Sequence, residues 1–144
     1  MEIDYNKAVT DGLNLFLQGE WQKKYTVKDL ERYLIYPIKH DKIRIYYKGD
    51  DPIGLITWCW LNKEEGKKFL NNQHYITEKD YVGDHKVLSN SKKELWGIEF
   101  IAPYGDALKI MKTLKKEHDS YYEKTHKVNW RRLHNPSKRH TREF

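Results

Sequence analysis

Cysteine is almost absent from this chain of 144 residues: Cys59 stands alone, so neither an internal disulfide nor a cysteine-built zinc site is available. Long apolar runs are missing too. No stretch approaches the roughly 18 residues that a membrane-crossing helix needs, and the mean hydropathy is -0.95. The opening residues, MEIDYNKAV, show no basic segment followed by an apolar run, which speaks against a secretory signal. The seven histidines are dispersed, none beside a carboxylate at metal-ligand spacing, so no bound metal is expected. Internal repeats and low-complexity segments are likewise missing. These absences point to a cytoplasmic protein with no membrane span and no permanent cofactor.

What the chain does have is aromatic mass and charge. Aromatic residues make up 14% of it and hydrophobic residues 38%, enough for one core and against long-range disorder. The net charge of +6 is localised. Residues 1–123 balance, whereas over residues 124–144 Lys124, Lys127, Arg131, Arg132, Lys138, Arg139 and Arg142 face only Glu143. The reading is one domain over 1–133 and a basic tail over 134–144. Such an end either meets an anionic partner (a phosphate, an acidic carrier protein, a nucleic acid) or is simply solvated.

Periodicity gives a helix over 5–18 stopped at Gly19, and a second that starts at Thr26 with Asp29 three residues on and ends near Pro37. Lys42–Tyr47 and Ile53–Leu61 read as an antiparallel pair closed by KGDDP. Asn62 with Glu65 opens another helix. Residues 71–93 read as a polar, irregular stretch. ELWGIEFIA at 94–102 is a strand, Tyr104-Gly105 a tight turn, Asp106 the cap of a helix, and Val128–Arg132 a last strand. Strands and helices mixed at short spacing imply one α/β or α+β sheet domain.

Two segments together resemble a known family, the toxin-activating lysine acyltransferases that modify RTX hemolysins. They are PIGLITW at 52–58 and WGIEFIAPYGD at 96–106, the second being the more specific. The Val27–Pro37 helix and Lys124–His126 fall in the expected order, and the likeness covers roughly 20–127. It implies a GNAT-like mixed, mostly antiparallel central sheet flanked by helices. It also implies transfer of an acyl group from acyl carrier protein or coenzyme A, as co-substrate, to a lysine amine of a protein acceptor, and is compatible with a homodimer. Shortened relatives of this kind look similar to phage proteins, so the setting is a bacterial cell or a phage-infected host. The family's catalysis rests on an aspartate and a histidine. The first corresponds to Glu99; the second falls in GEWQKKYTV, where Gln22 is the nearest occupant and the first histidine of the chain is His40.

Aminolysis of a thioester needs a neutral amine, and a free lysine is almost wholly protonated at neutral pH, so a base or a desolvating pocket is required. Glu99 interrupts an apolar strand; alternation puts it on one face with Gly97 and Ile101, as a base or as an edge carboxylate paired with a surface lysine. Gln22 cannot be a base but can hold an amine or an oxyanion through its amide. Tyr104 either protonates the leaving thiolate or is a packing aromatic. Gly105 and the following helix start are suited to a pantetheine phosphate; Asp106 there caps the helix or assists. Trp58 lines an acyl channel or fills the core. Arg131 and Arg132 suit carrier acids or nucleotide phosphates. The alternative is a non-catalytic descendant that binds a protein or nucleic acid through its basic C-terminus.

Overall fold

The computed structural model describes residues 4–121, 127–131 and 139–143. A five-stranded sheet runs in the order β1-β2-β3-β4-β5: Ile43–Lys48, Asp51–Leu61, Glu94–Ile101, Lys127–Arg131 and Arg139–Glu143. All neighbours are antiparallel except β3 and β4, which are parallel. The mixed, mostly antiparallel sheet with flanking helices is the expected class. Strand β5 lies within the segment read as a basic tail and pairs with β4 from Lys127↔Glu143 to Arg131↔Arg139. Lys124–His126, Arg132 and residues 134–138 lie outside the described residues.

Several helices start where a short polar side chain meets free amides. Asp4 accepts from Lys7 N ahead of α1, Tyr5–Gln18, satisfying donors that a helix start leaves orphaned. After a 3-10 turn at Gln22–Lys24, Thr26 and Asp29 form a reciprocal capping box ahead of α2, Val27–Leu30. A π turn at Glu31–Ile35 leads directly into α3, Tyr36–Lys39, so the helical run passes the expected stop at Pro37. Pro37 enters at the first turn after the wider π turn, where a missing amide costs little.

Three further helices, α4 (Lys63–Leu70), α5 (Glu78–Tyr81) and α6 (His85–Ser89), precede β3, and α7 (Ala107–Tyr121) follows it. Helices α5 and α6 occupy the stretch expected to be irregular. They are too short to show periodicity; caps at Thr77 and Asp84 and the burial of Ile76, Tyr81 and Leu88 make them. Among the described residues, no helix is long and apolar enough to cross a membrane.

The sheet buries both faces. On one, Leu55, Cys59 and Leu61 of β2 and Trp96 and Ile101 of β3 pack beneath α1, the α2–α3 run, α4 and α5, through Phe16, Leu34, Phe69 and Tyr81. On the other, Trp60, Leu95 and Val128 meet Leu88 of α6 and Met111 and Leu114 of α7. One irregularity matters for function. Thr57 pairs with Glu99, yet Trp58 pairs with Gly97, so β3 carries one extra residue, Ile98. Such a bulge re-aims the side chains beside it.

Candidate active site

The bulge corrects the expected alternation. Gly97, opposite Trp58, faces the α7 side, where a Cβ would lie 2.3 Å from the Trp130 ring. Glu99, opposite Thr57, faces the α1 side together with Ile101 and Leu55. The backbone amide of Glu99 donates to Thr57 Oγ1 at 3.1 Å. Without the extra residue, Glu99 would point to the opposite face.

Glu99 is only 5% exposed. Gln22 Nε2 donates to its Oε2 at 2.6 Å, and the Tyr25 hydroxyl donates to Oε1. Both donors come from the short link between α1 and α2 and are themselves partly exposed. The Tyr25 ring is held between Phe16, 5.9 Å away edge-on, and Tyr33 of the π turn, 5.3 Å away. Turns of this kind recur at functional sites. Gly19 makes room for Gln22: a Cβ on it would lie 2.2 Å from Gln22 Oε1.

Burial pushes the Glu99 carboxyl above the usual carboxylate range; the hydrogen bonds from Gln22 and Tyr25 and the positive charge of Arg131 oppose this without cancelling it. Burial and the neighbouring carboxylate together raise the Tyr25 phenol, so it stays protonated as a donor. Arg131 Nη1 donates to Asn72 Oδ1 at 2.8 Å and to the Phe69 carbonyl at 3.3 Å, and its guanidinium lies 4.4 Å from the Phe69 ring centre. The arrangement is a desolvated carboxylate with raised proton affinity, framed by two neutral donors.

Of the residues singled out from sequence, the fold brings Gln22 and Glu99 into contact and places Arg131 within electrostatic reach. Others lie elsewhere. Tyr104 is 61% exposed. It lines a groove of about 620 Å³ with Asp106, Lys48, Pro52 and the end of α1. Gly105 has a φ of +90° and open space around it. Trp58 stands on the α7 face, with Arg44 5.3 Å from its ring centre, and lines a cavity of about 80 Å³ with Ile56, Leu95 and Leu114. Cys59 is buried, and burial raises its thiol, as an inert core cysteine requires. Tyr25, Thr57 and Gly19 were not anticipated. Tyr25 has a local signal, since it immediately precedes the Thr26 cap; the others depend on the bulge and on a packing contact.

No histidine lies beside a carboxylate at metal-ligand spacing in the sequence, but the fold brings two of them to carboxylates. His40 Nε2 lies 3.0 Å from Glu78 and His74 Nε2 3.1 Å from Asp80. Glu65, His74 and Asp80 bring ligand atoms within 4.8 Å of one another, the described residues best able to hold a divalent metal. Both carboxylates already serve as the return partners of capping boxes, at Asn62 and Thr77.

Among the described residues, the parallel pairing of β3 with β4 comprises Leu95↔Val128 and Trp96↔Asn129, and the Asn129 side chain donates to the Leu95 carbonyl at 3.1 Å. The result is a mixed α/β domain with a buried carboxylate on its central strand β3. The chain belongs to the RTX toxin acyltransferase family, whose model matches residues 3–142. It is 30% identical over 117 residues to an uncharacterized protein of Synechocystis sp., covering 78% of this chain and 74% of that protein. It is 20% identical over 103 residues to an RTX-III toxin-activating lysine-acyltransferase of Actinobacillus pleuropneumoniae, covering 72% of this chain. The match spans 55% of that acyltransferase.

Proposed function

We propose that this chain moves an acyl group from a thioester of acyl carrier protein or coenzyme A to a lysine amine of a protein acceptor. The observation that carries the reading is the Gln22–Glu99 hydrogen bond, which joins a carboxylate singled out by its apolar strand and a position singled out by the family resemblance. Glu99 is the base. Its raised affinity for a proton makes it a better acceptor for an ammonium proton than an exposed carboxylate. The Gln22 amide orients the amine or the developing oxyanion. The groove at Tyr104 and Asp106, with Lys48 on its wall, is a polar cleft suited to a pantetheine arm. Arg131, within electrostatic reach of Glu99, suits an acidic carrier.

The test is acyl transfer from octanoyl-pantetheine and from acyl carrier protein to a lysine amide. A folded Glu99→Gln variant is expected to lose about 10²-fold or more; undiminished transfer removes Glu99 from the mechanism. A second reading has one specific observation in its favour: Gln22 stands where the family has a histidine. In that reading the chain is a binding module whose basic C-terminal segment meets an acidic protein or nucleic acid. Steep salt dependence of binding, weakened by Arg139→Glu, with no transfer from either donor, would select it.

A further inference from the structure

Thioester aminolysis has a second proton problem, at the sulfur. An alkyl thiolate is a poor leaving group at neutral pH unless it is protonated as it departs. The residue expected for this from sequence, Tyr104, is largely exposed and lines the groove rather than the carboxylate site. Another tyrosine is already in contact with the base. Tyr25 holds Oε1 of Glu99 while Gln22 holds Oε2, so the two oxygens have separate partners. Its ring is fixed by Phe16 and Tyr33, which limits the motion of the hydroxyl.

Resting on the acyl-transfer reading above, we infer that Tyr25 is the general acid of the reaction, passing its hydroxyl proton to the departing sulfur and recovering one from Glu99. The amine arrives neutral, having released one proton to solvent. Its nitrogen attacks the thioester carbon, so a C–N bond forms and the nitrogen carries one surplus proton. Glu99 takes that proton. As the C–S bond breaks and its electron pair stays on sulfur, the Tyr25 proton moves to the sulfur. In the same event the proton on Glu99 crosses the existing hydrogen bond to the Tyr25 oxygen. The products are an amide and a thiol, and both side chains return to their starting states. Because burial and Glu99 disfavour a tyrosinate, the two transfers at Tyr25 occur together.

The experiment compares two donors carrying the same octanoyl group, a pantetheine thioester and an aryl thioester of thionitrobenzoate, whose thiol is ionised at neutral pH. With a lysine amide as acceptor, Tyr25→Phe should lose about 10²-fold with the pantetheine donor and only about threefold with the aryl donor. Phenylalanine keeps the ring between Phe16 and Tyr33. Fluorotyrosine at position 25, with a more acidic phenol and unchanged packing, should alter the rate for the pantetheine donor alone. Equal fractional losses with both donors overturn the role of Tyr25 and leave acyl transfer standing. Wild-type protein that transfers from neither donor overturns both.

Discussion

Gln22 and Glu99 lie 77 residues apart in the chain and 2.6 Å apart in space, amide nitrogen to carboxylate oxygen. The contact is made by a three-residue 3-10 turn on one side and a bulged strand on the other. It places at one point the two positions that the family resemblance aligns with a histidine and an aspartate. Gln22→His would therefore put an imidazole against the carboxylate, which would fix its tautomer and raise its basicity. Transfer is expected to rise about tenfold or more near neutral pH. A fall in rate at unchanged folding would instead mean that the amide N–H of Gln22 is itself used on the substrate.

Gly19 separates stability from function in a way few positions can. Its backbone is extended at φ -76°, so alanine fits the conformation. The atom a new methyl would meet is Gln22 Oε1, the far end of a flexible side chain. Gly19→Ala should change stability by less than about 1 kcal/mol, since the loss of chain entropy on folding is also smaller. It should displace the Gln22 amide from Glu99 and reduce transfer about tenfold. Paired denaturation and rate measurements check this; equal loss of both would show that Gly19 is packing alone.

The sequence displays the large elements of the fold because each has a local cause. The β1–β2 hairpin follows from β-branched and aromatic residues around Gly49, and β3 from its apolar run. Capping pairs at Thr26 and Asn62 mark helix starts one turn ahead. Glu99 was legible because a carboxylate inside an apolar strand needs a reason, and Gln22 only through the family resemblance. The face of Glu99 was not legible, because a bulge depends on strand pairing and leaves no composition signature. Tyr25 as a partner, and the burial that makes α5 and α6, are likewise products of long-range contact. Pro37 misled the reading because its missing amide falls where a π turn absorbs it.

Gly97 should tolerate no side chain. The Trp130 ring crosses it, and Phe100, next but two on β3, meets the same ring edge-on at 6.2 Å. A methyl at 97 would sit 2.3 Å from Trp130 ring carbons, and an indole packed against a strand cannot yield as a flexible chain end can. Gly97→Ala is expected to destabilise the fold by about 1–3 kcal/mol, the range for overpacking. Combining it with Trp130→Leu should recover part of that loss, because the two changes share one contact. A double variant no more stable than the single one would place the cost in the β3 backbone.

The raised proton affinity of Glu99 makes opposite predictions for stability and for rate. In the unfolded chain the carboxyl releases its proton near the ordinary value of 4.5; in the folded protein it does so at higher pH because it is buried. Between those two values the folded state binds more protons, so stability falls as pH rises. The contribution is complete below the unfolded value and lost as pH passes through the folded one, at about 1.4 kcal/mol for each unit of separation. Glu99→Gln has no such titration. The difference in melting temperature, wild type minus Glu99→Gln, should therefore decline with pH across this window, while effects of the other carboxylates cancel. Over the same window acyl transfer should rise, since ionised Glu99 is the base. A melting difference that stays flat would mean that the hydrogen bonds from Gln22 and Tyr25 fully offset the burial. The rate profile would then shift down to the range of an exposed carboxylate.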